Sequence, residues 1–180
     1  MRINELNIQG VYEIIPELRE DNRGGFFRYF CAEEMKNITQ DSFVQMNHSF
    51  NNKAGTLRGM HYQLPPHSEG KLIRCIRGAV QDVFIDLREG SPTLLEHASI
   101  ELSETNHRLI YLPPGIAHGF ITLQDNTELL YHHTAFYNPE AERGIRFDDP
   151  NLSIDWTRQV EVISERDQSH PKLPANFTGI

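Results

Sequence analysis

Lys71-Leu72-Ile73-Arg74-Cys75-Ile76-Arg77, Gly78-Ala79, and Val80-Gln81-Asp82-Val83-Phe84-Ile85-Asp86-Leu87 form the stretch that decides the fold. Two runs rich in β-branched and aliphatic residues flank a short Gly-containing turn, the signature of a tight antiparallel hairpin. Outward from it, similar strand-like pieces recur at Gly10 to Ile15, Gly24 to Phe30, His97 to Leu102, Arg108 to Leu112, Gly119 to Leu123 and Glu128 to Thr134. Each is short and punctuated by Gly, Pro, Asn or Asp. One helix is expected at Ala32 to Ile38 and a turn near Ser103 to His107. Many short strands with frequent turns predict an all-β jelly roll or barrel with few helices. With no repeat, low-complexity stretch or linker, residues 1–180 are expected to form one domain. The tail from about residue 157 reads as loop that wraps over the barrel or a neighbour.

The chain is long enough to bury a core without disulfides or metal. Its formal net charge of −8 disfavours nonspecific contact with nucleic acid or an anionic membrane. A local arginine cluster can still hold an anionic small molecule. Two cysteines, Cys31 and Cys75, in a chain without a secretory signature point to a reduced, cytoplasmic setting. No apolar run approaches the roughly 18 residues of a membrane span.

Two histidine-centred strings flank the hairpin: Arg58-Gly59-Met60-His61-Tyr62-Gln63 and Pro113-Pro114-Gly115-Ile116-Ala117-His118-Gly119-Phe120. They resemble the two motif regions of a cupin, a double-stranded β-helix barrel, with the usual metal ligands missing. Gln63 stands where metal-binding cupins carry a second histidine, and Lys71 opens the next strand. A His and a Lys without a complete ligand set suggest proton chemistry on a carbonyl compound. Strand alternation puts Lys71, Ile73, Cys75 and Arg77 on one face, Leu129, Tyr131 and His133 on one face, and His61 with Gln63. Arg58 falls opposite His61 unless Gly59 allows a bulge. His132 and His133 are adjacent on a strand and face opposite ways, so they are not expected to share a metal.

The ordered set of strings is far more specific than any one of them. Asp21-Asn22-Arg23-Gly24, Gly59 to Gln63, Gly70-Lys71-Leu72, Pro113 to Phe120, Tyr131 to Pro139, Asp148-Asp149-Pro150, Ile154-Asp155-Trp156 and Ser164-Glu165-Arg166-Asp167 resemble the dTDP-4-dehydrorhamnose 3,5-epimerase family. That resemblance implies a cofactor-free cupin and a homodimer with shared sites. It also implies epimerisation of a nucleoside-diphosphate 4-keto-6-deoxyhexose.

A C–H beside a ketone ionises only with a placed base and with charge stabilisation at the forming enolate oxygen. The resemblance makes His61 the base, Asp167 its orienting carboxylate, Lys71 the cation at the C4 oxygen and Tyr131 the acid on the opposite face. Imidazole suits a base, with an ordinary pKa of about 6.5, and a phenol of pKa about 10 suits an acid. It further implies Arg23, Arg58 and Arg166 at the diphosphate, Tyr137 stacked on the nucleobase, and Gln45, Asn47, His118 and Glu142 as other substrate contacts. The residue matching Arg23, with the segment after it, serves the neighbouring subunit's site in that family. Other readings are inversion at C3 or C5 alone, ketone isomerisation, a sugar-nucleotide binding protein without catalysis, and a metal-dependent cupin.

Three positions depart from the family pattern: Arg28 for Glu, Met46 for Asp and His132 for Lys. Placing Arg28 at the base exchanges an acceptor for a donor. That exchange suits cytosine N3 better than thymine N3–H, and so a CDP-linked sugar, provided that Arg28 points into the pocket.

Overall fold

The computed structural model describes residues 1–180 as fourteen strands and two four-residue helices. The strands are β1 (Arg2–Glu5), β2 (Tyr12–Ile15), β3 (Arg19–Asp21), β4 (Gly24–Phe26), β5 (Gln45–Asn51), β6 (Thr56–Gln63) and β7 (Lys71–Arg77). They continue with β8 (Ala79–Asp86), β9 (His97–Ser103), β10 (Leu109–Leu112), β11 (Ile116–Thr122), β12 (Thr127–His133), β13 (Glu142–Gly144) and β14 (Val162–Ile163). The helices are α1 (Ala32–Met35) and α2 (Glu165–Gln168). One sheet runs β1-β2-β10-β7-β12-β5, and the other β13-β6-β11-β8-β9 with β14 alongside β6. β3 and β4 form a separate ribbon. This is the all-β jelly roll that the strand pattern predicts, in the cupin form that the two histidine-centred strings resemble.

The tight antiparallel hairpin expected around Gly78-Ala79 does not form, because the chain crosses between the sheets there: Lys71–Arg77 pairs with β10 and β12 whereas Ala79–Asp86 pairs with β9 and β11. Gly78, at φ 72°, makes that crossing, and a Cβ there would collide with Thr127. Ile73, Cys75, Ile110, Leu112 and Leu129 of one sheet meet Val80, Phe84, Leu102, Ile116 and Phe120 of the other in the main core. Burial of each large apolar side chain contributes about 1.5–3 kcal/mol before chain entropy. Every residue of β8 is buried because its outer face is covered as well. There Val83, Ile85 and Leu87 pack under Ile145, Leu152 and Leu173, with Trp156, Phe177 and Ile180 beside them. Trp156 is a packing anchor whose indole N–H donates to the Phe147 carbonyl at 2.9 Å.

Some elements differ from the sequence expectation. Gly24 to Phe30 is a strand only to Phe26, and the expected helix to Ile38 ends at Met35, where Ile38 N–H bonds the Met35 carbonyl and tightens the last turn. β5, polar in composition, is held by seven residue pairs with β12 rather than by apolar periodicity. In the tail, β14 runs parallel to β6 and α2 is capped by the Ser164 hydroxyl accepting from the Asp167 N–H. No helix is long and apolar enough to cross a membrane.

Candidate active site

Near one end of the sandwich, a cleft of about 550 Å³ is lined by β5, β6, β7, β11, β12 and the tail. Lys71, Gln63 and His133 are terminal residues of their strands, which marks that end. His61, Lys71, Tyr131 and Asp167 all line the cleft, as do Asn47, Arg58, His118, Tyr137, Glu142 and Arg166. His61 and His118 are cross-strand partners on β6 and β11. Tyr131 sits beside Ile73 and Asn47 on the other sheet, and Lys71 beside His133. The histidine base candidate and the phenol thus stand on opposite sheets.

Arg58 and His61 share the cleft because β6 bulges. His118 pairs with His61 and Phe120 with Arg58, so Gly59 and Met60 together oppose Gly119. Gly59 has φ 134° and lies against Gly119, so only glycine fits there. The Arg58 Nε–H donates to Asn51 Oδ1 at 2.7 Å, which aims the guanidinium.

His61 Nε2 lies 2.9 Å from Asp167 Oδ1, and the Gly59 N–H donates to Asp167 Oδ2 at 3.2 Å. Burial works against the Asp167 charge, but its bonds to His61 and Gly59 outweigh it and hold the carboxyl below the usual range. An ionised Asp167 accepts from Nε2–H, leaving the lone pair of His61 on Nδ1. Buried Lys71 donates to the His61 carbonyl at 3.2 Å and pairs with Glu69 at 3.1 Å. An ammonium has three donors, so one remains for the cleft. The Tyr131 hydroxyl is 3.0 Å from Ser49 Oγ, and burial pushes the phenol well above its ordinary pKa. His118 pairs with buried Asp82 at 2.8 Å.

At the outer end, Tyr137 O–H donates to Glu142 at 2.7 Å, and Glu142 also binds Arg166. Gln45 lies just outside the lining residues, with its amide N–H₂ donating to Asn47 Oδ1 at 3.3 Å and its carbonyl accepting from the Tyr137 N–H at 3.0 Å. Arg23 and Arg28 do not reach this cleft. Arg23 is bound by Asp21 at 2.6 Å in the turn of the β3–β4 ribbon, its side chain 84% exposed. Arg28 lies 3.4 Å from Glu34, in a separate depression with Arg19 and Phe26. Met46 lies exposed on β5, outside the cleft, and His132 packs on Tyr29, Phe30 and Phe43 outside the barrel. The condition for an inverted base contact is therefore unmet in the chain's own cleft, and the polarity argument for cytosine fails there.

Four residues in or against the cleft escaped the sequence expectation: Ser49, Glu69, His133 and His170. Alternation already put His133 on the Tyr131 face; it stacks on Tyr131, and Asn47 Nδ2 is 3.3 Å from its Nε2. Burial first, then Lys71, His118 and His132, pushes its pKa down to about 4. Ser49 lies two residues from Asn47 on β5, whereas nothing in the tail's pattern singles out His170.

A carboxylate-held imidazole on one wall, facing a buried phenol and ammonium on the other, marks an isomerase that moves protons at carbon beside a carbonyl. Residues 5–175 match the family described as dTDP-4-dehydrorhamnose 3,5-epimerase. The chain belongs to that family. A dTDP-4-dehydrorhamnose 3,5-epimerase of Sinorhizobium fredii is 42% identical over 182 residues, covering 98% of this chain and 93% of the relative. The dTDP-6-deoxy-D-glucose-3,5-epimerase of Legionella pneumophila, solved with dTDP-4-keto-L-rhamnose, superposes with TM-score 0.89 at 36% identity over 95% of this chain and 92% of its own. A dTDP-4-dehydrorhamnose 3-epimerase of Streptomyces niveus is 38% identical, covering 93% of this chain and 82% of the relative.

Proposed function

We propose that the protein, a single domain over residues 1–180, inverts C3 and C5 of dTDP-4-dehydro-6-deoxyglucose in the cytoplasm, giving dTDP-4-dehydro-L-rhamnose. The observation that carries this reading is the placement of His61 and Tyr131 on opposing sheets around one cleft. His61 Nδ1 takes the proton beside the ketone while Asp167 steadies the imidazolium that forms. The free donor of Lys71 meets the enolate oxygen, where negative charge develops. Tyr131, protonated at neutral pH, returns a proton from the other face, and the carbon is inverted. Each step uses a side chain of the protein, so the scheme needs no cofactor.

Arg58 and Arg166 take the diphosphate, Tyr137 stacks on thymine, and Gln45, Asn47, His118 and Glu142 hold the remaining polar groups. Arg23 enters the neighbouring subunit's cleft in a homodimer. The exposed ribbon supports this, with Arg23 at its turn and Phe26 74% exposed beside it. The similarity to a 3-epimerase favours single inversion at C3 as the second reading.

Proton NMR in heavy water with dTDP-4-keto-6-deoxyglucose tests both readings. Deuterium entering C3 and C5 supports double inversion, and entry at C3 alone supports the second reading. His61→Ala should retain the fold and lose deuterium uptake by about 10²–10⁴-fold. Uptake at the wild-type rate in that variant overturns the assignment of the base.

A further inference from the structure

Asp167 Oδ1 is approached by two imidazoles. His61 Nε2 is 2.9 Å away, and His170 Nε2 is 3.6 Å away, too far for a hydrogen bond. His170 Nε2 is buried and has no hydrogen-bond partner. Its ring stands edge-on to that of His61, with centroids 5.5 Å apart and planes at 81°. It occupies a slot over Gly144, the cross-strand partner of His61, and a Cβ at Gly144 would collide with the imidazole. The proton transfer proposed above gives His170 no task.

We propose that His61, Asp167 and His170 form a binding site for a divalent transition-metal ion such as Zn²⁺, and that the bound ion silences the base. The three ligating atoms already lie within 4.8 Å of one another. Two imidazole nitrogens and one carboxylate oxygen are a donor set suited to Zn²⁺ or Co²⁺, whereas Mg²⁺ and Ca²⁺ favour all-oxygen shells. Nearby charge does not oppose the ion, because Arg166 is paired with Glu142 and Lys71 with Glu69. Asp167 alone supplies a net negative charge.

Occupation and catalysis exclude each other through proton position. The ion takes the Nε2 electron pair of His61 and the Oδ1 atom of Asp167. The proton that Nε2 donated to Asp167 moves to Nδ1, so the imidazole stays neutral and no proton is lost overall. Nδ1 then carries N–H where the base needs a lone pair. The silencing half of the proposal rests on His61 being the base; the ion site itself does not.

The test uses the full chain and metal salts alone. Co²⁺ titration should give visible absorption bands that saturate at one equivalent and are displaced by Zn²⁺, but not by Mg²⁺. Zn²⁺ should stop deuterium uptake into the sugar at the same occupancy. His170→Ala should weaken Co²⁺ affinity by more than about 10-fold, with uptake in each protein compared with its own metal-free rate. Gly144→Ala keeps the histidine but fills its slot, and should weaken Co²⁺ binding in the same direction, so a misfolded His170→Ala does not end the test. Absent bands, or unchanged affinity in both variants when folded, overturn the site. Saturation without loss of uptake overturns the silencing. Saturation in a protein that exchanges no sugar proton even without metal keeps the site and overturns the catalytic reading.

Discussion

At Tyr131 the hydroxyl has one hydrogen-bond partner, Ser49 Oγ, and a ring packed on the main core. Tyr131→Phe keeps that packing and removes the proton that would return to carbon. It should cost about 1 kcal/mol of stability through the lost hydrogen bond. Product formation should fall by about 10²–10⁴-fold. Because His61 remains, deuterium should still enter the starting sugar, and NMR in heavy water should find label without inversion. Label and inversion falling together would remove Tyr131 from the acid role. Placement of the four central residues was legible in the sequence for different reasons. His61, Lys71 and Tyr131 sit on alternating strands, where direction follows from position. Asp167 has no such periodicity around it and was reached only through a family string. His170, three residues beyond, has neither support.

β6 shows what an element adds to its residues. A regular strand turns Arg58 away from His61, and the bulge at Gly59 brings both to the cleft. Gly59→Ala should destabilise the fold by about 2–4 kcal/mol, because a Cβ meets Gly119 Cα at 2.5 Å and the backbone is left-handed. Urea unfolding measures the loss, and residual activity should fall further than stability alone explains. The sequence showed that Gly59 permits a bulge; only pairing with β11 establishes one. β5 hides for the complementary reason, since its polar residues are ordered by β12. On β12, His133 is held neutral first by burial and then by Lys71 and the neighbouring histidines. Its folded pKa of about 4 lies below the usual value of about 6.5, so the unfolded chain takes up the proton first. Stability should therefore fall as pH drops from about 6.5 towards 4, and His133→Asn should flatten that slope. An unchanged slope in urea unfolding would mean that His133 titrates normally.

For the whole molecule, the ribbon carrying Arg23 belongs to the proposed machinery but does not line its own cleft. If two subunits share sites, Arg23→Ala and His61→Ala disable different halves of each. Unfolding and refolding the two variants together should restore epimerisation that neither shows alone, since a hybrid contains one site with both residues intact. A mixture no more active than its components would place Arg23 outside catalysis. The strand pattern was sufficient to predict the barrel, but the meeting of distant segments was not legible from it. His61 and Asp167 are 106 residues apart in the chain. During translation, that distance becomes time. A growing chain exposes its histidine long before it can supply the carboxylate that sets the tautomer. The nascent barrel would thus be a vessel without a tuned catalyst, and turnover would report that the late-emerging segment had docked.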